Sequence, residues 1–600
     1  MDDNNKNLIL ATVLSFVVIL VWFVMFPPPE QPADAVTEIV ATEAAPVAAA
    51  PLTTATNPAT TEATSTDVEA PRVKIETARL SGSISLQGGR IDDLALKDYR
   101  ETLAEDSETV HLFKPRSNSN SYYALYGWAP GAGLGLDTVP GANTIWTVES
   151  GDTLTDTSPV TLSWDNGAGL TFRREISIDA NFMFSVSQSV TNTGAGTVSL
   201  APYGILARHG QPADLKNFFI LHEGLVSMSD GELNETDYDS IADLDFNQSE
   251  GARAEVTQVT ESGWIGFTDH YWMATLIPEQ TSPFKSVAKY DERRDIYQTE
   301  AVLPTQTLAD GQTVTVNSQL FAGAKEWAQI RAYETDGGVN GFLDSIDWGW
   351  FFFLTKPMFA LLHFLQSFIG NMGWSIIGLT VLIKIIVFPL AYKSYASMAK
   401  MKELQPEMEK IKEKAGDDRQ AMQKAMMELY KKEKVNPASG CLPILIQIPV
   451  FFSLYKVIFV TLELRHAPWI GWINDLSAPD PTSILNLFGL LPYSTPEPGS
   501  LFFILSLGVL PILLGLSMWL QQKLNPAPTD PTQKMIFAWM PWIFMFMLGS
   551  FASGLVIYWI ANNTITFIQQ YSIMRFHGYK PDVFGNILSS FKRKPKAADE

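Results

Sequence analysis

The distribution of apolar positions divides the chain into two halves of different character. Residues 8–26 form an uncharged, predominantly apolar run of 19 residues, long enough to cross the hydrocarbon of a bilayer as a helix. The run begins behind Met-Asp-Asp-Asn-Asn-Lys-Asn and ends at Pro27-Pro28-Pro29. That pattern predicts a retained signal-anchor, with cleavage the minor alternative. Residues 27–70 are rich in Pro, Ala, Thr and Glu and bury too little apolar surface to offset chain entropy, so they read as a flexible tether. From about Arg72 to Phe321 the period shortens to two. Leu80-Ser-Gly-Ser-Ile84-Ser-Leu86, Phe182-Met-Phe184-Ser-Val186-Ser and Val314-Thr-Val316-Asn-Ser alternate, and Gln87-Gly88-Gly89 and Asn192-Thr193-Gly194 punctuate them. Many short strands with turn signals predict an antiparallel β-sandwich, assigned to residues 71–343.

Residues 344–370 bring Trp348, Trp350, Phe351-Phe352-Phe353 and Lys356 together. An aromatic, amphipathic segment of this kind predicts a helix at the lipid headgroups; a half-buried connecting helix is the other reading. Five long apolar spans follow, at 374–392, 442–462, 501–521, 535–551 and 554–574, several carrying proline (Pro389, Pro449, Pro511, Pro541). With the first run they make six. Residues 484–491 are too short to span and belong to an outer loop, 463–500. The segment 393–437 carries 11 Lys and Arg, the tail after Met574 six, and the loop 463–482 one. Positive charge collects on the cytoplasmic side. Both termini, the segment 393–437 and the loop 522–534 are therefore expected inside, and the β-domain outside.

Within 393–437, Met401, Leu404, Met408 and Ile411 fall on one helical face, and Met422, Met426 and Leu429 on a second. Gly416 is positioned to end the first helix, and Asp417 with Gln420 to open the other as a capping box. The prediction is an antiparallel hairpin ending at Asn436-Pro437. Two roles stand for its methionines: a pliable surface for varied apolar partners, or the seam that zips the hairpin together.

Charge and composition narrow the chemistry. The net charge of −21 resides mostly in residues 71–343, which hold 19 Lys and Arg against 37 Asp and Glu. So acidic a domain repels phosphates and does not suit nucleic acid. The single cysteine, Cys441, precludes an intramolecular disulfide and reads as a small buried apolar residue. The seven histidines form no HExxH or Cys/His pattern and GxxxxGK[ST] is absent, so neither a metal, a cofactor nor a nucleotide-driven motor is expected.

Lys384 is the residue that stands out. It sits mid-span, where a charge costs about 2.5–3.5 kcal/mol on insertion scales. The far end of the span is eight or nine residues on, roughly 12–14 Å at helical rise, more than a lysine stem covers by snorkelling. Thr380 lies one turn earlier on the same face. No Asp or Glu occurs from Gly349 to Tyr392. A hydrated groove within the bundle is the favoured environment, with Gln447, Tyr558, Trp559 and Asn562 as further polar lining. Ordinary helix–helix hydrogen bonds are the competing account of Gln447 and Asn562.

Several runs are similar to those of one known family. Tyr395-Ala-Ser-Met-Ala-Lys-Met-Lys-Glu-Leu-Gln-Pro406, Leu429-Tyr-Lys-Lys-Glu-Lys-Val-Asn-Pro437, Gly440-Cys-Leu-Pro-Ile-Leu-Ile-Gln-Ile-Pro449, Leu462-Glu-Leu-Arg-His-Ala-Pro468, Trp472-Ile-Asn-Asp-Leu-Ser-Ala478 and Ser553-Gly-Leu-Val-Ile-Tyr558 resemble the YidC insertase family in its Gram-negative bacterial form. The resemblance implies a polytopic inner-membrane protein with a five-helix core, a large β-supersandwich outside and a helical hairpin inside. It implies an insertase and membrane chaperone, not an enzyme. Its partners would be nascent membrane proteins, the bilayer, the Sec translocon with its accessory proteins, and the ribosome. The basic run Lys592-Arg593-Lys594-Pro-Lys596 serves either ribosomal RNA or anionic lipid. Lys384 and Thr380 match the family's groove positions, although Arg is the commoner residue at the first. Lysine keeps the charge without the planar fork of donors. Trp559 stands where many relatives carry a second Tyr. Two other classes compete: a transporter or channel using Lys384, and an enzyme acting on sugars through His209, His222 or Asp269.

Overall fold

A computed structural model describes residues 70–581, apart from 132–133, 217–219, 417, 434, 436–441, 493–505, 526–530 and 580, and gives only the backbone of 419, 442–446, 531, 532 and 534. The predicted first span, residues 27–69 of the tether, Asp417, Asn436-Pro437, Cys441 and the basic run at 592–596 lie outside the described residues.

Residues 72–324 form two face-to-face sheets. One has twelve strands and runs from Phe246–Asn247 through Ala252–Val259, Phe284–Asp291, Ile296–Val302, Val198–His209, Tyr122–Pro130, Arg90–Arg100, Leu80–Ser85 and Arg72–Glu76 to Thr153–Leu154. The other has nine, with Trp272–Pro278, Thr313–Ala324, Met183–Asn192 and Leu170–Ile178 at its centre. Alternation sets the faces. Leu170, Phe172, Ile176 and Ile178 are buried while Arg173 and Glu175 are exposed, because a strand presents successive side chains to opposite sides. The register Val186↔Ser318 and Val190↔Val314 joins two of the runs read from sequence. Gly88 and Gly89 turn the chain with φ of 75° and 60°, a region glycine enters without steric cost.

Ten helices are described among these residues. A short α1 (Tyr238–Ala242) interrupts the strands, and α2 (Trp327–Thr335) leaves the sandwich. Next come α3 (Phe352–Ile369), α4 (Met372–Glu403), α5 (Gln405–Ala415), α6 (Arg419–Lys432), α7 (Leu442–Val460), α8 (Val509–Leu524), α9 (Pro531–Met547) and α10 (Ser553–Phe576). Helix α3 buries Thr355, Met358, Phe359 and Leu362 against α4 and α7 but exposes Phe353, Phe364 and Phe368. It thus has a packed face and a greasy outer one. By length and composition α3 and α4 are the two described helices fit to cross a bilayer. Pro389, Pro449 and Pro541 lie inside helices. Pro511 lies in the first turn of α8, where a missing N–H leaves no hydrogen bond unmade.

Two local expectations are corrected. Met401, Leu404, Met408 and Ile411 do not share one helix. Helix α4 continues through Met401 to Glu403, and α5 starts again at Gln405 with Pro406 in its first turn, the position at which proline opens a helix rather than continues one. Asp418, one residue later than expected, caps α6. Its Oδ1 accepts from the amides of Gln420 and Ala421, both at 3.0 Å, the geometry an N-cap requires. Gly416 ends α5 with φ of 54°.

Candidate functional site

Helices α4, α7, α8, α9 and α10 enclose a cavity of about 420 Å³. Lys384, halfway along α4, lines it, and its neighbours Ile385 and Ile386 face outward, 61% and 73% exposed. Lysine has three donors and no acceptor, and the structure supplies acceptors from two other helices. Lys384 Nζ donates to Gln447 Oε1 on α7 at 3.1 Å and to Thr566 Oγ1 on α10 at 2.9 Å. Each acceptor is itself oriented. Gln447 Nε2 donates to Tyr558 Oη at 2.9 Å, and Thr566 Oγ1 donates to the Asn562 carbonyl at 2.7 Å. Among the described residues no carboxylate lines the cavity, so the lysine is held without being neutralised.

The two ends of the cavity differ. Toward the β-domain, Phe451 and Trp559 stack at 4.9 Å and 11°, with Phe544 and Leu548 beside them. Toward the opposite end the lining includes Tyr395, Gln521, Asn563 and Gln569. Asn563 Nδ2 donates to Ser517 Oγ at 3.1 Å, tying α10 to α8. Asn562 is buried, and its Oδ1 has no hydrogen-bond partner among the described residues.

Of the residues singled out from sequence, Lys384, Gln447, Trp559 and Asn562 line this cavity. Tyr558 is buried behind it and touches it through Gln447. Thr380 does not face it: the side chain is 1% exposed and its hydroxyl returns to the Ile376 carbonyl at 2.7 Å, as helical threonines do when no better acceptor is near. Thr566 was not singled out, since a hydroxyl in an apolar span reads as an ordinary helix contact. In the hairpin, Tyr430 Oη donates to Met408 Sδ at 3.8 Å across α5 and α6, while Met401, Met422 and Met426 are half-buried.

A second polar cluster fastens the β-domain to the helices. Lys456, on α7, is bonded to Asp347 and to the Ile220 carbonyl. Asp347 Oδ2 also accepts from the His222 amide at 2.8 Å. His270 Nε2 meets the Phe459 carbonyl at 2.8 Å, with its ring stacked on Tyr271 and Phe459. Arg465 Nη2 donates to the Arg100 and Glu101 carbonyls at 2.6 and 3.1 Å. Of the residues considered for sugar chemistry, His209 and Asp269 line a pocket of about 220 Å³. Asp269 is committed to a bidentate pair with Arg208 at 2.6 and 2.7 Å, and His222 lies elsewhere, against the Leu225 carbonyl.

A β-sandwich joined to apolar helices, two of them long enough to cross a bilayer, around a cation held in a largely apolar cavity fits the class of membrane proteins with a large domain outside the lipid. Residues 72–361 match the family model described as the YidC periplasmic domain, and residues 364–580 that of the 60Kd inner membrane protein. The chain is 66% identical to the membrane protein insertase YidC of Ruegeria pomeroyi and 65% identical to that of Dinoroseobacter shibae, each alignment covering 100% of both chains. A solved structure of an active YidC insertase with its first transmembrane domain resolved covers 83% of this chain and 92% of its own at 17% identity, with a TM-score of 0.35. The chain belongs to the YidC family of inner-membrane insertases, on the strength of the full-length sequence relatives.

Proposed function

We infer that this protein is a membrane protein insertase and chaperone whose working surface is the cavity around Lys384. It is not an enzyme: insertion moves a segment from water to lipid and makes or breaks no covalent bond. On this reading the chain crosses the bilayer six times, and both termini, the α5–α6 hairpin and the basic tail lie in the cytoplasm, following the positive charge. Client segments meet the half-buried methionines of the hairpin first. The client's short polar tail then enters the cavity near Lys384, which shortens the lipid distance it must cross. The apolar segment passes along α7 and α10 into the bilayer, driven by burial of roughly 20 apolar residues. For an acidic tail the membrane potential adds about 2.3 kcal/mol per charge per 100 mV. The Phe451–Trp559 stack closes the path on the β-domain side. Small clients are handled by the protein alone, larger ones beside the Sec translocon and its accessory proteins, with the ribosome reached through the tail and cytoplasmic loops.

The observation that carries this reading is a lysine held by two neutral acceptors in a cavity that no carboxylate lines among the described residues. Photo-crosslinkers at 384 and 451 should capture a stalled nascent membrane protein. Lys384→Ala should reduce insertion of acidic-tailed, Sec-independent clients on the order of tenfold, the scale of one hydrogen bond to a charged group. Normal insertion of all such clients by that variant would refute the reading.

A further inference from the structure

We propose that Thr566 is a positioning residue: with Gln447 it fixes the Lys384 ammonium at the cavity wall and leaves one N–H for a client's acidic group. The inference rests on the groove reading above and goes beyond it by assigning what holds the cation in place. A lysine stem has four rotatable carbons, and in an apolar span its ammonium is drawn toward the headgroups. Here it is drawn inward instead, by acceptors on two helices other than its own.

Neither acceptor is free to turn away. Gln447 has its amide nitrogen bonded to Tyr558 Oη, so its oxygen faces Lys384. Thr566 gives its hydroxyl proton to the Asn562 carbonyl one turn earlier, so a lone pair faces Lys384. Thr566 is 5% exposed, so its hydroxyl is spent within the protein. A carboxylate in place of either acceptor would quench the charge. Two neutral acceptors use two of the three N–H groups and leave the charge intact. A client carboxylate that takes the third forms a bond assisted by charge on both partners, which a neutral client group does not match.

A guanidinium, longer and with five donors in a rigid plane, holds its own orientation. Its dependence on Thr566 should therefore be weaker. The test uses the full-length protein in phosphatidylethanolamine/phosphatidylglycerol proteoliposomes. The clients are two single-span proteins that differ only in carrying Asp or Asn in a short tail. In the unaltered protein the Asp client inserts faster. Thr566→Val should reduce that advantage on the order of tenfold, the scale of one lost bond to a charged group. Thr566→Ser should retain it, and Lys384→Arg added to Thr566→Val should restore most of it. A general packing defect would depress both clients alike and would not be relieved by Lys384→Arg. An Asp advantage unchanged in Thr566→Val, with Lys384→Ala impaired, would overturn the positioning role alone. An unimpaired Lys384→Ala would overturn the groove reading as well.

Discussion

Acidification should loosen the attachment of the β-domain to α7, and His270 supplies the means. Its Nε2 donates to the Phe459 carbonyl at 2.8 Å, while Nδ1 is buried with no hydrogen-bond partner among the described residues. A second proton would sit on Nδ1 against apolar surroundings. Burial accordingly pushes the imidazole down from 6.5 to about 3, the Phe459 bond opposing this and Lys325 adding to it. The sign follows from linkage. Between about pH 3 and 6.5 the undocked histidine binds a proton and the docked one does not, so docking is fully favoured above 6.5 and weakens as pH falls. At pH 5 the difference is about 2 kcal/mol, at about 1.4 kcal/mol for each pH unit below 6.5. His222, also held below its usual value by burial, acts in the same direction. Amide hydrogen exchange at the Phe459–Arg465 junction, corrected for intrinsic rates, should report protection falling roughly thirtyfold from pH 7.5 to 5. His270→Gln keeps a donor for the Phe459 carbonyl without titrating, so it should flatten most of the slope. An equally steep slope in that variant would refute the assignment.

Other perturbations have equally definite outcomes. Lys456→Met should strip Asp347 of its cation in a buried setting, at a cost of about 3–5 kcal/mol to the junction. Asp347→Asn should cost a comparable amount, and the double variant less than the sum, since both remove one coupling. Thermal unfolding in nanodiscs measures all three, and additive losses would contradict a direct pair. Arg174, 1% exposed between the sheets, donates to the carbonyls of Gly88, Gly89 and Tyr126, and burial lowers its pKa to about 10. Arg174→Met should strand those carbonyls and cost about 3 kcal/mol or more, seen as a lower melting temperature of the β-domain.

The β-domain was legible because alternation is a local signal: a period of two in residues 80–86 and 182–187 dictates which side chains enter the sandwich. Lys384 was legible for a different reason. A charge in an apolar span is costly enough to need a cause, and a cause within reach of Gln447 follows from the polar content of α7. Thr566 escaped notice because a hydroxyl is nearly free to bury in a helix, where it bonds to a carbonyl one turn back. Thr380 does only that, and Thr566 does that and more, and nothing in either residue's neighbourhood along the chain separates the two. Lys456 carried a readable signal, a cation four residues before the end of α7. Its partner Asp347 is 109 residues away, beyond any local pattern. The hairpin register failed at Pro406, where an apolar stripe continued across a break that the proline itself announced.

Helix α7 joins the two polar clusters into one mechanical argument. Gln447 meets Lys384 near one end, and Lys456 meets Asp347 nine residues later, about 13 Å along the axis at helical rise. Apolar packing alone specifies little about a helix in lipid, since the surrounding tails are as apolar as a neighbouring helix. Polar contacts do specify it, because each fixes both rotation and depth. With Lys456 and the Phe459 carbonyl tied to the β-domain and Gln447 tied to Tyr558 and Lys384, α7 is pinned at two depths by contacts that lipid cannot replace. The side chains between them, Ile448, Val450 and Phe451, form the apolar wall of the cavity. If clients pass along it as proposed, that wall can stay non-specific toward them because its position is set by the polar contacts above and below it.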